Sequence, residues 1–175
     1  MAVRDQRLRT GKYASTLDAL PRERYACALE VGCSIGVLTE ALAERCDVLV
    51  SLDLAERALA RARERCRDLS HVRFKLAQVP GQWPEGAFGL ILLSEIVYYL
   101  DADDVARLVE RVRSCLQPGG DVVLVHWTCE THYPLTGDEA VERFIDGASG
   151  FLRVHEQTRM DKYRLDVLVG RERQP

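Results

Sequence analysis

The chain has no apolar run approaching the roughly twenty residues that a membrane-crossing helix needs. Its opening, "MAVRDQRLRTGKY", is polar and basic and lacks the apolar segment of a secretory signal. The expectation is a cytoplasmic protein that does not engage a membrane. Cysteine pairs at metal-ligand spacing are also missing. Cys27, Cys33, Cys46, Cys66, Cys115 and Cys129 are scattered, with no C-x-x-C. That excludes the common zinc patterns and points to reduced, mostly buried thiols, with no metal expected. Nor is there an excess of one charge: 24 Lys and Arg against 27 Asp and Glu leave a net charge of −3. So small an imbalance gives no electrostatic pull toward nucleic acid. The local cluster Arg61, Arg63, Arg65 and Arg67 is interleaved with Glu56, Glu64 and Asp68 and reads as a solvated helix face. Repeats and low-complexity linkers are absent as well, so the 175 residues are expected to form one domain.

What the chain does contain is an alternation of two patterns. "CALEV" (27–31), "VLVSLD" (48–53), "VRFKL" (72–76), "GLILLS" (89–94) and "DVVLVHW" (121–127) are short, nearly continuous apolar runs. Such runs suit a parallel sheet covered on both faces. Amphipathic stripes lie between them: Ala55, Ala58, Leu59, Ala62 and Cys66, then Val105, Leu108, Val109, Val112 and Leu116. The second stripe is opened by Asp101 as an N-cap and closed by Pro118-Gly119-Gly120. "TGDEAVERFIDG" reads as a last helix. "FLRVHEQT" and "KYRLDVLVG", joined by "RMD", read as a closing antiparallel hairpin. The fold class is α/β, a three-layer α/β/α sandwich with a mostly parallel seven-stranded sheet and an antiparallel C-terminal hairpin.

Open sheets of this kind bind ligands at the carboxyl ends of their strands. "CALEVGCSIGVLTEALAERC" puts Glu30, Gly32, Ser34 and Gly36 at such an end, where a strand becomes a helix near Ile35. Glycine allows the sharp turn and a close approach of backbone N–H groups to a ligand. The spacing is G-x-S-x-G rather than the dinucleotide G-x-G-x-x-G, which disfavours a nicotinamide oxidoreductase. Asp53 ends the next strand, 17 residues beyond Gly36, where a carboxylate can accept both hydroxyls of a ribose.

With these features in place, the chain resembles the Rossmann-like S-adenosylmethionine-dependent methyltransferases from about Tyr25 to Gly170. The family's acidic residue and G-x-G-x-G match "EVGCSIG", with Ser34 at the middle glycine and expected to keep ordinary backbone angles. The resemblance implies that Glu30 organises the turn and the cofactor's ammonium end. It implies further that Gly32, Cys33, Ser34 and Gly36 line the methionine side, that Asp53 holds the ribose, and that Leu54 lies against adenine. Where the family places an aspartate after the third strand, this chain has Gln78. Gln78 and Val79 are either adenine-edge contacts or plain turn residues. "LILLSEIVYYL" and "LQPGGDVVLVHW" look most like the nodulation protein S branch, which N-methylates a glucosamine unit of lipo-chitooligosaccharides. In that branch residues 1–24 would be a short helical lid.

The acceptor side is expected at the ends of the fourth and fifth strands. Ser94 would sit by the methyl group. Glu95 would orient an amine or act as base, or else be a helix-start carboxylate. His126 is the second catalytic candidate, and His132 ranks below it. Tyr98, Tyr99, Trp127 and Tyr133 are candidates for walling the acceptor or stacking on a sugar ring. His71 and His155 miss the strand ends and read as structural. A serine hydrolase is excluded, because the serine of "GCSIG" lies on a first-strand turn without an oxyanion loop. The leading expectation is methyl transfer from S-adenosylmethionine to a small polar acceptor, leaving S-adenosylhomocysteine. The competing one is a cofactor-binding partner or scaffold without catalysis. The sequence does not set the oligomeric state.

Overall fold

A computed structural model describes residues 11–130 and 132–171. A helix, α1, covers residues 11–18. The first ten residues of the expected 1–24 lid lie outside the described residues. The remaining elements alternate as the apolar pattern predicts: β1 (Tyr25–Val31), α2 (Val37–Ala43), β2 (Cys46–Asp53), α3 (Glu56–Arg65), β3 (Val72–Leu76) and β4 (Phe88–Ser94). A 3-10 turn (Val97–Tyr99) leads to α4 (Ala102–Cys115), β5 (Leu116–Trp127), α5 (Gly137–Ala148), β6 (Leu152–Arg159) and β7 (Tyr163–Gly170).

The sheet order is β3-β2-β1-β4-β5-β7-β6. β1 to β5 run parallel, and β7 is antiparallel to both β5 and β6. Chain order reverses between β1 and β4, which opens a crevice at their C-terminal ends. Side chains alternate between the two faces. Leu29, Val31, Ile91, Leu93, Val122 and Leu124 pack with Leu108, Val112 and Phe144 of α4 and α5. Ala28, Leu90, Leu92, Val123 and Val125 pack with Leu38 and Leu42 of α2, while Tyr13 and Leu17 of α1 lean on the same cluster. Every residue of β4 is buried, as a central strand covered on both sides requires.

Asp101 caps α4 by accepting from the Asp104 N–H at 2.8 Å. Thr136 and Glu139 form a capping box on α5. One boundary differs from the expectation. Pro118-Gly119-Gly120 does not close α4; the helix ends at Cys115, and the three residues lie inside β5. Gly119 has a φ of +67°, and the β4–β5 register shifts between Phe88 and Leu90, so the turn chemistry is spent on a bulge.

Gly36 joins α2 to its neighbour. Its φ is +78°, and a Cβ there would lie 2.9 Å from both Cα and Cβ of Ala62 on α3. Gly36→Ala combines a left-handed backbone penalty with overpacking and is expected to cost about 2 kcal/mol or more. Chemical denaturation checks this, and an unchanged midpoint would contradict the packing account.

Candidate functional site

Two corners of the crevice are built by different strands and meet at one contact. Gly32 leaves β1 with a φ of +89°, and a Cβ on it would stand 2.2 Å from the Ser94 carbonyl oxygen at the end of β4. The sequence assigns this glycine to ligand approach, but the chain's own backbone already demands it. Ser34 departs from the expected ordinary angles. Its φ is +49°, a left-handed conformation that costs a non-glycine residue about 1–2 kcal/mol. What holds it is Asp53. The carboxylate accepts from the Ser34 N–H at 2.8 Å through Oδ2 and from the Ala55 N–H at 2.9 Å through Oδ1. Asp53 thereby braces the glycine turn and the start of α3 while remaining partly exposed.

Glu30 lies beneath this turn with no exposed surface. Thr39 Oγ1 and Ser51 Oγ donate to its Oε2 at 2.7 and 2.9 Å, while Oε1 has no partner. Burial pushes the carboxyl up to about 7, against the pull of those two donors. Burial likewise raises the neighbouring Cys33 thiol, so it stays protonated. Leu54 follows Asp53 with 71% of its surface exposed, an apolar side chain left uncovered beside a carboxylate. Gln78 is exposed and Val79 half-buried, and the Gln78 N–H donates to Gln82 Oε1 at 2.8 Å. Next to them opens a cleft of about 570 Å³ lined by Leu52, Leu76, Ala77, Gln82 and Trp83.

The second corner centres on Glu95, which has a φ of +58°. Three donors fix it: Lys12 Nζ to Oε1 at 2.5 Å, and Tyr98 OH and the Trp127 N–H to Oε2 at 2.8 and 2.9 Å. Burial alone would raise this carboxyl. The Lys12 ammonium and the Trp127 N–H outweigh it and hold the group below its ordinary value. The Tyr98 hydroxyl is raised by burial and by that carboxylate, so it remains a donor. Tyr98 stacks on Tyr133, with centroids 5.2 Å apart, and Tyr99 OH meets Tyr133 OH at 3.2 Å. Tyr99 and Tyr133 keep about half their surface open beside Glu95. The Trp127 ring is half-buried under the Lys162 ammonium.

His126 is the main correction. The alternation along β5 turns it into the interior, where it has no exposed surface. Its Nε2 accepts from the Val97 N–H at 3.1 Å, so the ring proton belongs on Nδ1, which has no partner. Burial depresses its pKa to about 4. A neutral, enclosed ring that holds the 3-10 turn cannot reach an acceptor. His132 is exposed on the loop after β5. His71 meets the Ala43 carbonyl at 3.0 Å, and His155 is exposed on β6. Lys12 is the site residue that the sequence reading missed. No spacing rule links residues 83 apart, although Tyr13 and Leu17, four residues apart, mark the apolar face of the helix that carries it. Among the described residues no cluster of three or more His, Cys, Asp or Glu side chains could hold a metal ion.

Glu30 yields a pH test. A carboxyl raised from 4.5 to about 7 stabilises the fold fully below its unfolded value, and that contribution is lost as pH climbs through about 7. Glu30→Gln keeps an oxygen for Thr39 and Ser51 and removes the titration. Its stability relative to wild type is therefore expected to grow in the variant's favour from pH 5 to pH 8, as read by thermal melts. A difference that is flat with pH would contradict the buried-acid account.

The sequence and the fold both recur in known proteins. The sequence model of the family described as Nodulation protein S (NodS) matches residues 5–157. Nodulation protein S of Sinorhizobium fredii is 40% identical over 99 residues, covering 55% of this chain and 45% of that protein. The chain spans about half the length of the curated relatives it matches first. A candidate methyltransferase from Pseudomonas syringae superposes with a TM-score of 0.82 at 37% identity, covering 93% of this chain and 98% of that one. The N-methyltransferase NodS from Bradyrhizobium japonicum superposes with a TM-score of 0.79 at 25% identity, covering 96% and 97%. A second structure of that protein, in complex with S-adenosyl-L-homocysteine, has a TM-score of 0.76 at 22% identity, covering 95% and 87%. With the family's model matched over most of its residues and the fold shared throughout, the chain belongs to the nodulation protein S family.

Proposed function

We propose that the chain transfers a methyl group from S-adenosylmethionine to the nitrogen of a small polar acceptor of the amino-sugar class. The observation that carries this reading is the meeting of the two corners at Gly32 and Ser94, with a ribose-type carboxylate at the end of β2 and an acceptor-type carboxylate after β4, on either side of β1. The residues fit the cofactor. Each Asp53 oxygen takes one backbone N–H and keeps a lone pair for a ribose hydroxyl. Leu54 offers an uncovered apolar face for a ring, with Gln78 and Val79 as the adenine edge. Gly32 through Gly36 would receive the methionine end, above the unpartnered Glu30 oxygen. Further support is that the Bradyrhizobium japonicum relative is described as an N-methyltransferase and was solved with the demethylated product.

When bound, the cofactor supplies a methyl group already activated by a positively charged sulfur. The protein's share is then alignment and exclusion of water, and such positioning can supply roughly 7–11 kcal/mol of a barrier. Glu95 keeps one lone pair free on Oε1, enough to accept a single N–H from the acceptor and aim its nitrogen. Tyr99 and Tyr133 wall that position with half-open rings. His126 takes no part in proton transfer. The acceptor nitrogen becomes cationic on methylation and gives up its proton to solvent only after the product leaves.

Asp53→Ala is expected to weaken S-adenosylhomocysteine by about 1.5–3 kcal/mol, the range for hydrogen bonds to a charged group. Calorimetry on the variant, with circular dichroism to confirm folding, checks this. Unchanged affinity would remove Asp53 from the ribose site.

A further inference from the structure

The Lys12–Glu95 pair bears on which form of the acceptor the site admits. Lys12 projects from α1 with only 8% of its surface exposed and places its ammonium 2.5 Å from Glu95 Oε1. Glu95 is the carboxylate directly after β4, and its other oxygen is already taken by Tyr98 and the Trp127 N–H. The groups facing it are therefore one cation from α1, one neutral phenol from the 3-10 turn and one neutral imidazole, His126, from β5. Its charge is spent inside the protein before any ligand arrives.

We propose that Lys12 is a specificity-determining residue that makes this site select the acceptor amine as the neutral free base and reject it as an ammonium. The inference rests on the amine-acceptor reading above. A tethered cation held against a carboxylate has an effective concentration far above that of a free ligand, so an ammonium cannot displace it. With the pair closed, a second ammonium meets the like charge of Lys12 without a counter-charge, an arrangement that favours rejection. A neutral amine meets neither obstacle. It can donate one N–H to the remaining Oε1 lone pair and keep its own lone pair for attack. The same repulsion then favours departure of the methylated product in its cationic form. Lys12 acts here through Glu95 and touches no reacting atom, so it is a positioning residue as well as a filter.

The test uses protein saturated with S-adenosylhomocysteine and the permanently cationic N,N,N-trimethyl derivative of glucosamine, titrated by calorimetry. Lys12→Met is expected to bind this probe at least tenfold tighter than wild type, because Glu95 is left with an unspent charge. Lys12→Arg is expected to match wild type, and Lys12→Met combined with Glu95→Gln to lose the gain. With glucosamine itself as acceptor, the wild-type KM is expected to rise as pH falls below the amine's pKa, and that dependence to flatten in Lys12→Met. Lys12→Gln, which retains a hydrogen bond to Oε1 without the charge, gives the same comparison should the methionine variant melt early. No gain in probe affinity in either neutral variant, or a gain that survives Glu95→Gln, overturns the proposal. S-adenosylhomocysteine affinity is measured on every variant. Loss of it in wild type would refute the methyltransferase reading, whereas intact cofactor binding with no change toward the cation refutes this inference alone.

Discussion

The crevice depends on one close approach: the Gly32 backbone lying against the Ser94 carbonyl, with no room for a side chain between them. β1 and β4 are parallel neighbours at the point where strand order reverses, so the chains leaving them diverge toward opposite sides of the sheet. Only a residue without Cβ and with a positive φ lets the two exits start from the same spot. The glycine turn, Asp53 and α3 then lie on one side, and Glu95, the 3-10 turn and the end of β5 on the other. A ligand bridging these corners spans that contact.

Three carboxylates serve the crevice, and their surroundings separate them. Glu30 is buried with a half-satisfied carboxyl and is raised toward neutrality. Asp53 is partly exposed and spends one lone pair per oxygen on backbone N–H groups. Glu95 is held ionised by an ammonium, a phenol and a backbone N–H. Groups of one chemical type, driven apart by burial and neighbours, can take distinct roles in one site. The left-handed angles at Ser34 and Glu95 fit the same pattern. Each sits where a backbone or side-chain bond to a carboxylate overdetermines the strained residue.

Much of this was legible in the sequence. Short apolar runs fixed the five parallel strands, because a strand buried on both faces has few other ways to be written. Asp101 and the start of "TGDEAVERFIDG" marked helix starts through side chains that bond their own backbone, a local signal. The role of Pro118-Gly119-Gly120 was misread because a turn signal does not say whether it ends a helix or kinks a strand. His126 was misread for a related reason. Being last but one in a strand says nothing about which face the side chain takes, and the pleat sends it inward. Gly32 was singled out for ligand approach, and a second demand on it, the close contact with Ser94, is long-range and left no mark in the local pattern. Lys12 was invisible on the same ground, since its meaning comes from Glu95 across the fold.

The account stands or falls on whether the two corners work on one amine. The most direct measurement is methyl transfer from S-adenosylmethionine to glucosamine and its oligosaccharides, followed by S-adenosylhomocysteine release and by mass spectrometry of the acceptor. The account predicts product formation that requires acceptor, with the methyl group on nitrogen and no transfer to the N-acetylated sugar. Methylation of the N-acetylated sugar at a hydroxyl, or no acceptor-dependent product from any free amino sugar, would contradict it.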